Sequence, residues 1–131
     1  MKNMKFTIVT IVLLVCMLTS CKGQSKLETQ QTYSTEIIGI WENNSEAGHK
    51  LEFLSNGILK IYSENQYVGS MNYAVVITCN GHTTSDNRIF LSLEEDGDIS
   101  CSTLETVNED NNNFLSMTTE QGKLETYTKV N

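Results

Sequence analysis

The chain contains no proline. Every reversal of direction must therefore be made by Asn, Asp, Gly and Ser, which tolerate or cap turn conformations. Histidine is nearly as scarce. His49 and His82 are the only two, each in a polar stretch, and both read as surface residues with no metal site expected. Basic side chains are few, nine against sixteen acidic ones. Also missing are a G-x-S-x-G nucleophile turn and a glycine-rich phosphate loop. The carboxylate pairs fall in turns where solvent leaves them unperturbed. Catalysis is therefore not expected, and no cofactor is implied.

The N-terminus places Lys2 and Lys5 before an apolar-rich run from Phe6 to Leu18. A basic segment followed by a short apolar one is the pattern of an export signal. As a helix the run would be about 20 Å long, too short for roughly 30 Å of hydrocarbon. It ends in Leu18-Thr19-Ser20-Cys21, which resembles the lipobox of bacterial lipoproteins. The resemblance implies cleavage before Cys21 and lipid on its thiol, with acyl chains such as palmitate holding the protein on a membrane. Two or more chains anchor stably where one is marginal. Cys16 would be discarded with residues 1–20. Lys22, where an aspartate would signal inner-membrane retention, implies the outer membrane, and the sequence after Cys21 lacks a surface-export signal, which implies a domain facing the periplasm. Residues 21–36 are polar without an apolar period and read as a lipidated N-terminus and flexible tether. Removal of Lys2 and Lys5 leaves seven basic residues against sixteen acidic ones, a balance of −9. Such a surface argues against nucleic acid as a partner and is consistent with a basic one.

Two cysteines remain for the folded part, Cys79 and Cys101. In an oxidising compartment such a pair usually bonds, and closing the loop between them is worth roughly 3 kcal/mol in the chain-entropy picture. A plain meander sets them roughly two strand spacings apart, ~9 to 10 Å, where a disulfide wants Cα atoms within ~7 Å. Either the polar stretch 80–87 folds back across the sheet, or the strand register differs, or the thiols stay free. The bond is the favoured expectation.

From Ile37 onward, short period-two stretches alternate with turn residues. The expected strands are 37–42, 51–53, 58–63, 71–77, 88–94, 99–107, 114–119 and 124–130, with Asn56-Gly57 and the acidic run Glu94, Glu95, Asp96 and Asp98 among the turns. That acidic run lacks the ligand spacing of a calcium loop and reads as a solvated hairpin. No helical period persists for ten residues within 37–131. About eight sequential antiparallel strands predict an all-β domain, most economically an up-and-down barrel whose closure removes exposed edges.

Gly39-Ile40-Trp41 resembles the Gly-x-Trp that opens lipocalins and bacterial lipocalin-like lipoprotein domains. The run from Leu51 to Leu59 is similar to their second hairpin, and Leu124 to Lys129 to their closing strand. The resemblance implies a lipocalin-like barrel over 37–131 with Trp41 plugging one end. Inward residues of a small barrel either fill it or line a pocket. The candidate lining is Phe53, Ile61, Tyr73, Val75 and Leu91, with Met71 and Tyr62 at the mouth. The expected role is a lipid-anchored envelope protein binding a small apolar molecule or envelope component. The alternative is a protein-binding inhibitor or immunity-type lipoprotein that acts on a basic partner enzyme.

Overall fold

The computed structural model describes residues 23–83 and 85–131. The export segment, the lipobox and Cys21 lie outside the described residues. The first element is a correction. Lys26–Glu36 form a helix, α1, where a flexible tether is expected. Its start is a capping box: the Ser25 hydroxyl accepts from the Glu28 amide, and the Glu28 carboxylate accepts from the Ser25 amide at 2.8 Å. Each satisfies an amide that the first helical turn leaves without an intrahelical partner. The helix is nearly polar all round and buries only Tyr33 along its length, with Ile37 fully buried at its C-cap. It is therefore held by docking on the barrel rather than by an apolar stripe.

The strands are β1 (Gly39–Asn43), β2 (Lys50–Phe53), β3 (Ile58–Ser63), β4 (Gln66–Val76), a two-residue pair β5 (Thr78–Cys79) and β6 (His82–Thr83), β7 (Ile89–Glu95), β8 (Asp98–Val107), β9 (Phe114–Thr118) and β10 (Leu124–Val130). With β5 and β6 set aside, eight strands pair with their sequence neighbours, and β1 pairs with β10 to close an antiparallel barrel. The closing register sets Trp41 opposite Lys129 and Asn43 opposite Tyr127. This is the expected all-β architecture, consistent with a small lipocalin-like barrel.

Left-handed residues stand in for proline at the turns. Asp96-Gly97 and Asn80-Gly81 make two-residue hairpins, and Glu64-Asn65 makes a third with φ of 51° and 62°. That third turn lets β4 begin at Gln66, five residues before the expected start at Met71. Strand β1 begins at Gly39 rather than Ile37, because Ile37 still belongs to the helix end. A bulge in β8 between Leu104 and Thr106 resets the alternation, so that Leu104 and Val107 both turn inward although they are three residues apart.

One end of the barrel is shut. Trp41 is fully buried there, and its indole N–H donates to the Ile37 carbonyl at 2.7 Å. The Lys129 ammonium lies 5.2 Å from the centre of the Trp41 ring and donates to the Glu36 carbonyl. Gln30 donates to the Val75 carbonyl, and the Tyr33 hydroxyl to the Glu109 carboxylate at 2.8 Å. Burial, that hydrogen bond and the nearby carboxylates push the Tyr33 hydroxyl well above the ordinary tyrosine range.

Gly39 has φ of 134°, and a Cβ there would stand 2.8 Å from Lys129 Cε. Substituting Gly39 by Ala combines backbone strain with displacement of the cation over Trp41. It is expected to lower stability by about 2 kcal/mol, measured as a lower urea midpoint.

The disulfide forms, with Cα atoms 6.0 Å apart. Cys101 opposes Ser92, between the inward residues Leu91 and Leu93, so it faces outward. After β4 the chain bends at Ile77 and lays β5, with β6 paired to it, against β7, carrying Cys79 across to β8. The Asn80 amide donates to the Ile99 carbonyl and ties down the tip. Folding back across the sheet thus resolves the distance conflict. Phe90 points outward by alternation and is buried nonetheless, as is Cys79.

Candidate functional site

The end of the barrel opposite α1 is open. There the inward residues of seven strands line a cup of about 150 Å³: Leu51, Leu59 and Ile61, Met71, Leu91 and Leu93, Ser102, Met117, and Glu125 with Tyr127, joined by His49 and Thr119 from the adjoining loops. The wall is mostly aliphatic and thioether, with the buried Ser102 and Tyr127 as its polar members and His49, Thr119 and Glu125 completing the lining. Sequence alternation places these side chains inside, and the plugged end decides which of them remain uncovered.

Of the expected lining residues, Ile61 and Leu91 line the cup. Phe53, Tyr73 and Val75 also point inward but lie towards the plugged end and form core. Phe53 meets Tyr73 edge to face at 4.9 Å, the Tyr73 hydroxyl donates to the Leu54 carbonyl at 2.7 Å, and Val75 lies where α1 docks. Met71 borders both the cup and the groove beside it. Tyr62 is instead on the outer wall, donating to the Glu52 carboxylate and facing Tyr67. His49 is not a plain surface residue: it forms part of the cup lip, 6.4 Å from the Tyr127 ring. His82 is exposed. The contributions of β9 and β10 are the residues that sequence reasoning misses. Their alternation is visible, but nothing local states how deep along the barrel axis each residue lies.

Glu125 is the charged group of the cup. Its carboxylate accepts from the Tyr127 hydroxyl and from Lys123, both at 2.9 Å. Burial works to raise its pKa, but these two hydrogen bonds and the charges of Lys123 and His49 outweigh it and hold the carboxyl below its ordinary value of about 4.5. The Tyr127 hydroxyl is pushed up, first by burial and then by its bond to Glu125. A carboxylate with a lowered folded pKa stabilises the fold above its unfolded pKa and loses that contribution as pH falls through the folded value. Wild type is therefore expected to exceed Glu125→Gln in urea midpoint at pH 7, and the gap should shrink as the pH falls below the ordinary glutamate range.

A shallower groove of about 410 Å³ continues from the cup, sharing Met71 and Leu93 and bounded by Glu95, Asp96, Asp98 and Glu120. The acidic run of the β7–β8 turn thus lies beside the cup. Among the described residues, no group of three or more His, Cys, Asp or Glu side chains is arranged to hold a metal ion. A larger crevice of about 590 Å³ lies between α1 and the 108–111 turn. Its polar groups already bond one another, Tyr33 to Glu109, Asn108 to Glu36 and Gln24 to Thr32. It is a polar seam of the fold, and the cup is the better candidate. No helix among the described residues is long and apolar enough to cross a membrane.

Comparison with protein-family models, with curated proteins and with solved structures finds no match for this chain.

Proposed function

We propose that this protein is a lipid-anchored binding module of the lipocalin type, held in the cell envelope through Cys21 on the periplasmic side of the outer membrane. Its site is the cup at the open end of the barrel, which takes the apolar part of a small molecule. The observation that carries this reading is the asymmetry of the barrel: α1, Trp41 and Lys129 plug one end, and an aliphatic cavity opens at the other. An apolar cavity of about 150 Å³ accepts a benzene-sized group. The ligand portion is therefore about six carbons, well short of a long acyl chain.

Docking of α1 also shortens the tether. Only Lys22, Gly23 and Gln24 separate Cys21 from the helix cap at Ser25, a span of at most about 14 Å. Because α1 packs on the plugged end, an anchor at Cys21 keeps that end near the bilayer and turns the cup away from it.

Calorimetric titration of the full chain in lipid nanodiscs with hexan-1-ol, against empty nanodiscs, tests the cup. Saturable one-to-one binding is expected, lost in Leu93→Trp, where the larger side chain fills the cavity. Binding that never saturates, or that survives Leu93→Trp unchanged, contradicts the reading.

One observation favours a second reading, a protein-binding envelope inhibitor or immunity-type lipoprotein. Of the eight exposed large apolar residues among the described ones, the four most exposed on the barrel, Tyr67, Val68, Ile99 and Leu124, belong to strand ends around the open mouth, as a contact surface for a basic partner enzyme would require. Isolation of a stoichiometric partner released by Tyr67→Ala together with Leu124→Ala would establish it.

A further inference from the structure

The charge around the cup is one-sided. The residues lining the cup and its adjoining groove include five carboxylates, Glu95, Asp96, Asp98, Glu120 and Glu125, against one basic side chain, His49, and neither lysine nor arginine. The nearest lysine is Lys123. It pairs with Glu125 from outside the lining, and its side chain is 72% exposed. An ion pair of that exposure is weak and screened by salt, so an incoming cation can replace it at little cost. Lys50 stands opposite Glu42, whose neighbours in register Trp41 and Asn43 take the inward positions, so Lys50 lies on the outer wall.

Resting on the cup reading, we infer that the ligand is a small organic cation: an ammonium group carried on an apolar portion of about six carbons, with the carbons in the cup and the ammonium at the lip between Glu125 and the β7–β8 carboxylates. The cavity volume sets the size of the apolar portion. The deep wall of Leu51, Leu59, Ile61, Leu91 and Met117 offers no charge to pair with, and its buried polar groups are only the Ser102 and Tyr127 hydroxyls, so a charged head must stay at the mouth. At the mouth the surrounding carboxylates attract a cation and repel an anion, and partial exclusion of water by the cup strengthens both effects. The Glu125 carboxyl, held ionised by its two donors, supplies the charge nearest the aliphatic wall.

Three ligands that share a six-carbon chain and differ in head group separate the claims: hexylamine, hexan-1-ol and hexanoate, titrated calorimetrically into the full chain in zwitterionic nanodiscs at pH 7, with empty nanodiscs subtracted. Hexylamine is expected to bind about tenfold more tightly than hexan-1-ol at low ionic strength, and hexanoate more weakly than either. The preference should shrink several-fold near 1 M salt, where the Debye length is about 3 Å. Glu95→Gln combined with Asp98→Asn changes only side chains at the exposed lip. It should cut the preference for the amine and leave the affinity for hexan-1-ol unchanged. Equal affinities for amine and alcohol, or a preference for hexanoate, would overturn the cation inference while leaving the cup reading intact. Failure of all three to bind saturably would overturn both.

Discussion

Replacing Trp41 with alanine is expected to lower the stability of the domain by about 4 kcal/mol, twice the loss expected for Gly39→Ala. Trp41 is among the largest fully buried side chains, and its loss opens a cavity at the junction of three elements. The indole N–H bond to the Ile37 carbonyl disappears, leaving a buried acceptor without its donor. Lys129 loses the ring beneath it. The helix end and the first strand are both secured at this point, so α1 should loosen together with the barrel. For a domain of this size the melting temperature should fall by roughly 20 °C. Trp41→Phe restores most of the volume without the donor and should recover more than half of the loss. Thermal unfolding followed by circular dichroism measures both variants.

The disulfide comes next in size. Replacing Cys79 and Cys101 together by alanine is expected to cost about 3 kcal/mol, because the unfolded chain regains the freedom of the loop between residues 22 apart in sequence. The loss should first be felt where the crosslink is attached. The disulfide fastens β5 against β7 by tying it to β8, so without it the segment from Ile77 to His82 should lift and uncover Phe90. Hydrogen exchange should rise first in that segment, while amides of β1, β9 and β10 stay protected until global unfolding. Uniform loss of protection across all strands would contradict a local role for the crosslink.

The barrel was readable in the sequence because its physics is local. A strand with one buried face must alternate, and runs such as Leu51-Glu52-Phe53 state that alternation openly. The two features hidden from sequence reading fail for different reasons. Helix α1 buries one residue along its length, Tyr33, and so has no apolar period to detect; its only local sign is Ser25-x-x-Glu28, the capping box. The early start of β4 is hidden because Glu64 occupies a left-handed position usually taken by Asn, Asp or Gly. The cup shows a subtler limit. Alternation separates inside from outside, but Val75 and Leu91 look alike in period two and are both buried, and nothing in that period states that Leu91 also borders the cavity and Val75 does not. The acidic Glu95-Asp96-Gly97-Asp98 turn, ordinary as sequence, gains meaning from lying beside that wall.

If ligand enters the barrel at the end away from α1, as proposed, the chain carries reporters at both ends to register it. Met71 and Met117 line the cup, and Trp41, the only tryptophan, marks the plug. Methyl-labelled methionine and indole N–H resonances of the full chain in nanodiscs, assigned through Met71→Leu and Met117→Leu, can be followed while hexylamine is added. Saturable shifts of both methionine methyls with an unmoved Trp41 indole are the predicted result. A saturable shift of the Trp41 indole with both methyls unmoved would place the ligand at the wrong end and contradict it.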